Sequence, residues 1–178
     1  RDAKVINFGV LYGMSPHGLA AATGMSFADA KAFITKYFQI RGAIREYIDT
    51  TIERAKHEGY VETLFGRRRP TPDLNSSNFI VREAAKRAAA NMPIQGTEAD
   101  LMKMAMLEVE KRLGAGDWEI GNSPKQILQI HDSIVVECPE KNAEAVSELL
   151  ETTMENIYPK LGVKLRVDVS VGKNWGEL

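Results

Sequence analysis

The sequence contains a single cysteine and no long apolar run. One thiol, Cys138, cannot form an internal disulfide framework, and this cysteine usage fits a reducing compartment. No apolar stretch approaches the roughly 20 residues that are needed to span a bilayer, and no charged-then-apolar leader opens the chain. We therefore expect a soluble, cytoplasmic protein with no membrane partner.

Net charge is also nearly absent, but the charges are unevenly distributed. The formal charge of the 178 residues is −1 at pH 7, which argues neither for nor against a nucleic-acid partner. Residues 1–91 carry 14 Lys and Arg against 9 Asp and Glu, a net of +5, whereas residues 92–178 carry 9 against 15, a net of −6. A basic half beside an acidic half suits a phosphate-binding surface next to a cation-binding one, although two solvated faces would give the same counts.

The composition is otherwise that of a globular protein, with 44% apolar and 26% charged residues. The length suits one ordinary domain or contiguous pieces of two. The chain begins inside a helical pattern, with neither a methionine nor a capping residue. We therefore expect it to be the C-terminal fragment of a longer protein.

The first stretch of the chain predicts a helix with a cationic start and a stripe of rings. Lys4, Phe8 and Tyr12 are spaced i, i+4, i+8, so one cation and two aromatic rings share one face. This face suits a ligand with phosphates at one end and a sugar and base at the other. Gly9 and Gly13 leave room for that ligand or its template to approach. The alternative is an ordinary helix whose rings belong to the core.

Helix start and stop signals divide the next part of the chain into scaffold helices. The starts are Ser15 with Pro16 and Ser26 with Asp29, and the stops are Gly24 and Gly59. A short β-rich run, residues 60–65, then leads into a turn with three adjacent arginines, residues 67–69. Such a turn predicts either a contact with a nucleic-acid backbone or a solvated loop.

From about residue 78 the pattern becomes an alanine-rich helix. Pro93 is expected to break or kink this helix, and Thr97 to cap its continuation. Arg87, Asn91 and Gln95 form a polar stripe at i, i+4, i+8. All three can donate hydrogen bonds, and the minor groove offers acceptors at every base pair, so the stripe could sense pair geometry without reading sequence. The alternative is a solvent-facing helix surface.

Two β-rich runs, residues 125–130 and 134–138, predict a hairpin with His131, Asp132 and Ser133 between them. An aspartate at the turn can reach a divalent cation while apolar neighbours anchor both strands. Mg²⁺ prefers hard oxygen ligands and usually takes one or two carboxylates together with substrate phosphates. A capped turn explains the His-Asp pair about as well.

Together these segments resemble the motifs of the family A DNA polymerases, the bacterial polymerase I group. The matching strings are Arg1, Lys4, Asn7-Phe8-Gly9 and Tyr12-Gly13 for motif B, Arg87 with Asn91-Met92-Pro93-Ile94-Gln95-Gly96-Thr97 for the minor-groove segment, and Gln129-Ile130-His131-Asp132 for motif C. The string from Leu64 to Arg69 and the ending Gly172-Lys173-Asn174-Trp175 are also similar to the family's. The resemblance therefore covers nearly the whole chain.

The resemblance implies a role for each of these side chains. Lys4 would hold the triphosphate of an incoming dNTP, Phe8 would lie against its sugar and base, and Tyr12 would stack near the templating base. Arg87, Asn91 and Gln95 would grip the primer–template minor groove. His131 would lie near the primer terminus, and Asp132 would be one of two catalytic aspartates that bind Mg²⁺. The family's phosphate-binding arginine would fall one position before Arg1, which is therefore given no such role.

Ser133 and Asp168 bear on how many acidic ligands the chain supplies. Ser133 stands where motif C usually has a glutamate, so any support that a carboxylate gives to the metal or primer end is reduced. Replacing Ser133 with Glu should therefore raise activity. Asp168 lies opposite the apolar face of a strand that alternation predicts from Val163 to Val171, and we expect it to be exposed rather than a second metal ligand.

The expected fold is α+β: a helical fingers segment, residues 1–82, followed by part of a palm with an antiparallel sheet, residues 83–178. The resemblance implies template-directed DNA synthesis by a two-metal mechanism, with primer–template DNA and dNTP as partners. The second aspartate and the thumb would come from the upstream part of the same polymerase, so residues 1–178 alone are not expected to polymerise. The alternatives are a single-subunit RNA polymerase and a non-catalytic DNA-binding remnant.

Overall fold

The computed structural model describes residues 2–119 and 123–178, without the side chains of residues 2–5. Within these residues the α-helices are α1 (Asp2–Leu11), α2 (Pro16–Thr23), α3 (Phe27–Ile40), α4 (Gly42–Glu58), α5 (Phe79–Ala115) and α6 (Ala143–Glu155). The strands are β1 (Tyr60–Glu62), β2 (Arg68–Pro70), β3 (Lys125–Ile130) and β4 (Ser133–Glu137). Short 3-10 helices occupy Pro72–Asn75, Glu140–Asn142 and Trp175–Glu177. The predicted α+β composition is therefore confirmed.

The chain forms two compact units, residues 1–97 and residues 98–178, and the boundary falls within α5. This is a division by packing. The boundary predicted at residue 82 concerns fingers and palm as functional parts, and it stays a prediction. In the part of the chain described, no helix is both long enough and apolar enough to cross a membrane.

The helices of the N-terminal unit begin and end at the residues that the sequence indicates. The Ser15 hydroxyl accepts a hydrogen bond from the Gly18 N–H (3.1 Å), and Gly24 closes α2 at φ +75°. The Ser26 hydroxyl accepts from the Asp29 N–H (3.1 Å) at the start of α3. These local bonds satisfy backbone donors that helix ends leave unpaired. They position α2 and α3 so that Leu19, fully buried, packs with Val10 of α1.

A second core of this unit lies where α4, β1 and the first part of α5 meet. Ala55, Val61, Leu74 and Ala89 are all buried there. β1 and β2 pair antiparallel, with Val61 opposite Arg69. The Tyr47 hydroxyl of α4 donates to the Ala90 carbonyl of α5 at 3.4 Å, and burial raises the pKa of Tyr47. The small alanines of α5 allow this close approach.

Pro93 does not break the helix, so the predicted break at this residue is wrong, and the alternative of a kink stays a prediction. α5 runs without a break from Phe79 to Ala115, although an internal proline removes one hydrogen bond and costs about 3 kcal/mol. Ala89 and Met92, which precede Pro93 in α5, pack in the second core and hold this part of the helix in place. Thr97 does not recap the helix; its hydroxyl donates to the Pro93 carbonyl (2.5 Å) and accepts from the Leu64 N–H (2.9 Å).

The C-terminal unit is built from a hairpin, the end of α5 and α6. β3 and β4 pair antiparallel, with Ile130 opposite Ser133, so the predicted hairpin is confirmed and its turn consists of His131 and Asp132. Val109 and Leu113 of α5 pack against Val146 of α6.

Residues 163–171 are not assigned as a strand in the structure, which differs from the alternation-based prediction. Leu165, Val167 and Val169 are half-buried and alternate with exposed neighbours, so the pattern is present. A strand also needs ladder hydrogen bonds. The Val167 N–H instead donates to the Glu155 carboxylate (3.2 Å). Asp168 is exposed, as expected.

Candidate nucleotide and nucleic-acid site

Helix α1 presents two aromatic rings to solvent at its C-terminal end. Phe8 is 53% exposed and Tyr12 is 38% exposed, and their rings lie nearly parallel, 15° apart in plane and 6.3 Å between centroids. Val10, on the other side of the helix, is 1% exposed. The interpretation of these rings as core residues is therefore wrong. The side chain of Lys4, the third member of the stripe, lies outside the described residues, as does all of Arg1.

The two glycines of this helix end accommodate side chains of the chain itself, which corrects the expectation that they leave room for a ligand. A Cβ on Gly9 would lie 2.5 Å from Cε of Met14. A Cβ on Gly13 would lie 2.8 Å from Cγ of Arg87, and Gly13 has φ +86°, a conformation that favours glycine. The turn after α1 is therefore packed directly against α5.

A hydrogen bond adds a second link between α1 and α5. Nδ2 of Asn91 donates to the main-chain carbonyl of Tyr12 at 3.3 Å, across 79 positions of sequence. Arg87 lies one turn earlier on the same face of α5, over Gly13. The ring stripe and the polar stripe, which are separate in the sequence, therefore form one surface.

Gln95 is the third member of the polar stripe and is exposed. Because α5 continues through Pro93, the i, i+4, i+8 spacing from Arg87 to Gln95 is a true helical spacing. Gly96 and Thr97, which follow, hold the β1–β2 turn: a Cβ on Gly96 would lie 2.7 Å from Thr63. The arginine-bearing turn is thereby fixed to the helix that carries the stripe.

The arginines of that turn differ in their surroundings. The guanidinium of Arg68 lies 4.3 Å from the centroid of the Tyr60 ring and within 3.3 Å of the Glu62 carboxylate. Arg69 is exposed on β2. Arg68 is therefore partly engaged within the hairpin, and backbone contact with a nucleic acid by this turn stays a prediction.

An open cleft of about 600 Å³ lies beside the α1–α5 junction, with Tyr12 and Asn91 in its lining. The apolar part of its lining includes Ile34, Phe38 and Ile48. Ion pairs that flank it are Arg45–Asp49 (2.7 Å), Lys56–Glu53 (2.6 Å) and Lys86–Glu83 (2.6 Å). Arg87 also lies in the lining, so the cleft presents a cation that none of these three ion pairs engages, beside its apolar surface. Its volume is typical of small-ligand sites, about 300–1,000 Å³.

The hairpin of the C-terminal unit carries the candidate metal ligand at its tip. Asp132 and His131 are both exposed, and His131 has φ +52°, which is uncommon for a residue with a side chain. Such a conformation costs on the order of 1 kcal/mol or more and persists only where the surroundings hold it. Nε2 of Gln129 donates to the His131 carbonyl (2.6 Å), and the Ser133 hydroxyl donates to the Ile130 carbonyl (2.8 Å).

The chemistry of the tip fits a hard cation in part. Asp132 supplies an exposed carboxylate, a ligand type that Mg²⁺ prefers. Among the residues that the structure describes, no three His, Cys, Asp or Glu side chains form a cluster that could hold a metal. The tip of this hairpin therefore offers the carboxylate of Asp132 to a metal ion. Substrate phosphates or ligands from elsewhere would complete the coordination.

Sequence reasoning missed the contacts that join these side chains. Gln129 belongs to the string that resembles motif C, but its bond to the His131 carbonyl could not be read from the pattern. The bond between Asn91 and Tyr12, and the packing of Arg87 on Gly13, join residues that are far apart in sequence. Only Gly13 gave a signal, because glycine favours close approach and left-handed backbone.

Comparison with known proteins identifies the family to which this surface belongs. The family model of DNA polymerase family A matches residues 1–177. The chain belongs to DNA polymerase family A. It is 50% identical over 175 residues to the thermostable DNA polymerase I of Thermus aquaticus, covering 98% of this chain and 20% of that protein. It is 47% identical over 175 residues to DNA polymerase I of Deinococcus radiodurans, covering 98% of this chain and 18% of that protein. The chain therefore spans about a fifth of the length of these relatives.

A solved structure agrees with the sequence relatives. The POL domain of Pol1 from M. smegmatis, in complex with a DNA primer-template and dNTP, matches 93% of this chain and 28% of its own length. The TM-score is 0.83 and the sequence identity is 38%. The family resemblance and the fold class expected from the sequence are confirmed.

Proposed function

We propose that this chain is the fingers and palm section of a template-directed DNA polymerase. Fingers would comprise residues 1–82 and palm residues 83–178. The observation that carries the proposal is the single surface on which exposed stacked rings, Phe8 and Tyr12, adjoin the hydrogen-bond donors of α5. A flat base can stack on such rings while the donors reach the groove edge of the pair beside it.

Each side chain on this surface has a distinct role in the proposal. Phe8 lies against the sugar and base of the incoming dNTP, and Tyr12 stacks near the templating base. Arg87, Asn91 and Gln95 donate to minor-groove acceptors of the primer–template. These donors respond to the shape of a correct pair and not to its sequence, because every pair offers an acceptor at purine N3 or pyrimidine O2.

The reaction in this proposal is nucleotidyl transfer. The primer 3′-hydroxyl gives up its proton to water and its oxygen forms a bond to the α-phosphorus of the dNTP. The bond from that phosphorus to the bridging oxygen breaks, and pyrophosphate leaves. Lys4 holds the triphosphate, and His131 lies near the primer end. Asp132 is the residue of this chain that would hold Mg²⁺, which when bound supplies positive charge for the attacking and leaving oxygens. The thumb and a second metal-binding aspartate come from the rest of the polymerase.

The test uses the complete polymerase that contains this segment. The parent protein and its Asp132→Ala variant are compared in primer extension and in primer–template binding. Loss of the metal-binding carboxylate should reduce extension about 100- to 1,000-fold, since electrostatic stabilisation of transferring groups dominates such catalysis, and leave the Kd for DNA within about twofold. Asp168→Ala is the matched control, because Asp168 is an exposed aspartate of the same unit, and it should retain the parent rate.

Two outcomes would contradict the proposal in different ways. A parent protein that binds DNA but extends no primer, with the Asp132→Ala variant identical to it, would show a non-catalytic DNA-binding remnant. Preferential incorporation of rNTP over dNTP by the parent would show an RNA polymerase.

A further inference from the structure

The turn that carries Asp132 is held by hydrogen bonds from the two residues that flank it. Gln129 lies two residues before His131 and donates to the His131 carbonyl at 2.6 Å. Ser133 directly follows Asp132 and donates to the Ile130 carbonyl at 2.8 Å. Both donors are side chains, and both acceptors are main-chain carbonyls at the tip of the hairpin.

The tip needs such support because its backbone is strained. His131 has φ +52°, and it is the one residue other than glycine with a positive φ in the part of the chain that the structure describes. His131, Asp132 and Ser133 are all exposed, so packing contributes little to fixing the turn. The pairing of β3 with β4 is also irregular between Gln126 and Leu128. The regularly paired stretch next to the tip is therefore short.

We infer that Gln129 and Ser133 are positioning residues that keep the Asp132 carboxylate in its metal-binding orientation. Ser133 then does more than replace a carboxylate. Its hydroxyl donates a hydrogen bond that holds the turn, and an ionised glutamate cannot do this because it only accepts hydrogen bonds. The inference rests on the proposed function for its link to catalysis. Its structural part, that the two side chains fix the turn, stands on the hydrogen bonds themselves.

A positioning role has a distinctive kinetic signature. If either hydrogen bond is lost, a smaller fraction of the protein holds the turn in the competent conformation, and the apparent metal affinity falls by that fraction. Saturating metal restores the population, so the maximal rate recovers. A net hydrogen bond to a neutral group corresponds to a change of about two- to tenfold in such a population.

The experiment compares Ser133→Ala, Ser133→Thr and Gln129→Met in the complete polymerase. Ser133→Ala and Gln129→Met should each raise the Mg²⁺ concentration for half-maximal primer extension about two- to tenfold, with the rate at saturating Mg²⁺ within about twofold of the parent. Ser133→Thr keeps the hydroxyl and should behave as the parent. The matched control is Ser147→Ala, which removes a hydroxyl-to-carbonyl bond of the same kind (2.7 Å) within α6 and should change neither quantity.

A second readout requires no activity and no metal. Amide hydrogen exchange of the hairpin peptides, residues 125–138, should be faster in metal-free Ser133→Ala and Gln129→Met than in the parent and in Ser133→Thr. If exchange is unchanged, or if Ser133→Thr behaves as Ser133→Ala, the inference is overturned. A rate that falls equally at every Mg²⁺ concentration overturns it too. If the parent extends no primer, the proposed function fails, while the exchange data still decide whether the two side chains fix the turn.

Discussion

Phe8 keeps 53% of its surface in solvent, whereas Val10, two residues later, is buried. The two sides of α1 therefore differ: one side packs in the core with Leu19, and the other faces solvent. Exposed aromatic side chains carry large apolar area, and they stack well on nucleobases. At the scale of single residues, the ring of Phe8 is therefore a candidate for stacking on a base.

Removing this ring should weaken nucleotide binding. We expect Phe8→Ala to raise the KM for dNTP by about 5- to 150-fold, because stacking of a base on an aromatic side chain contributes about 1–3 kcal/mol. Steady-state primer extension by the complete polymerase measures the change. Phe27→Ala is the matched control, since Phe27 is 46% exposed in the same unit but lies outside the surface described. An equal rise in KM for both variants would contradict a nucleotide-binding role for Phe8.

The residue after Asp132 allows charge and hydrogen bonding to be separated. Ser133→Glu and Ser133→Gln both lose the hydroxyl that donates to Ile130, and only the first adds a carboxylate. At saturating Mg²⁺, where loss of the hydroxyl bond no longer limits the rate, we expect Ser133→Glu to exceed both Ser133→Gln and the parent in the rate of primer extension. Equal rates for Glu and Gln would show that a carboxylate at this position adds nothing.

At the scale of elements, the turn after α1 depends on a glycine for two reasons that can be measured apart. Gly13 and Gly24 both have left-handed backbone, at φ +86° and +75°. A Cβ on Gly13 would lie 2.8 Å from Arg87, but a Cβ on Gly24 would meet nothing within 4 Å. Gly24→Ala therefore isolates the conformational cost, about 1–2 kcal/mol.

We expect Gly13→Ala to destabilise its turn by about 1–3 kcal/mol more than Gly24→Ala destabilises its own, because the added methyl group overpacks against Arg87. Hydrogen exchange of residues 9–14 and 20–25 in the complete protein gives the free energy of local opening for each. Arg87→Ala in the Gly13→Ala background should recover the difference. Equal destabilisation at Gly13 and Gly24 would exclude the contact as a cause.

Short-range features of the fold were predictable because their causes are local. Ser15 and Ser26 cap helices through bonds to residues three positions away, and the hairpin follows from two β-rich runs with a polar turn. Pro93 misled the prediction because packing around Ala89, which is not visible in the sequence, outweighs the cost of one proline. The alternation of residues 163–171 misled it because strand assignment requires a partner as well as a pattern.

The candidate site was predictable residue by residue but not as an arrangement. Phe8, Tyr12, Arg87 and Asn91 were each marked by helical spacing and by the family resemblance. Their joining through the Tyr12 carbonyl and Gly13 depends on how α1 meets α5, and no local pattern encodes that.

At the scale of the whole molecule, the number of acidic metal ligands limits the chemistry that the 178 residues can carry out alone. The described residues contain no cluster of three potential metal ligands, whereas two-metal catalysis needs carboxylates that hold two ions about 3.5–4 Å apart. We therefore expect purified residues 1–178 to extend no radiolabelled primer, even at high Mg²⁺. Robust extension by this polypeptide would refute the need for a second aspartate from elsewhere in the polymerase.

The bond between Asn91 and residue 12 ends on a main-chain oxygen, and every amino acid possesses that atom. This hydrogen bond between α5 and the end of α1 thus does not depend on which side chain occupies position 12. Natural variation or directed evolution can therefore exchange the ring of Tyr12 for a smaller or differently shaped group without removing this hydrogen bond.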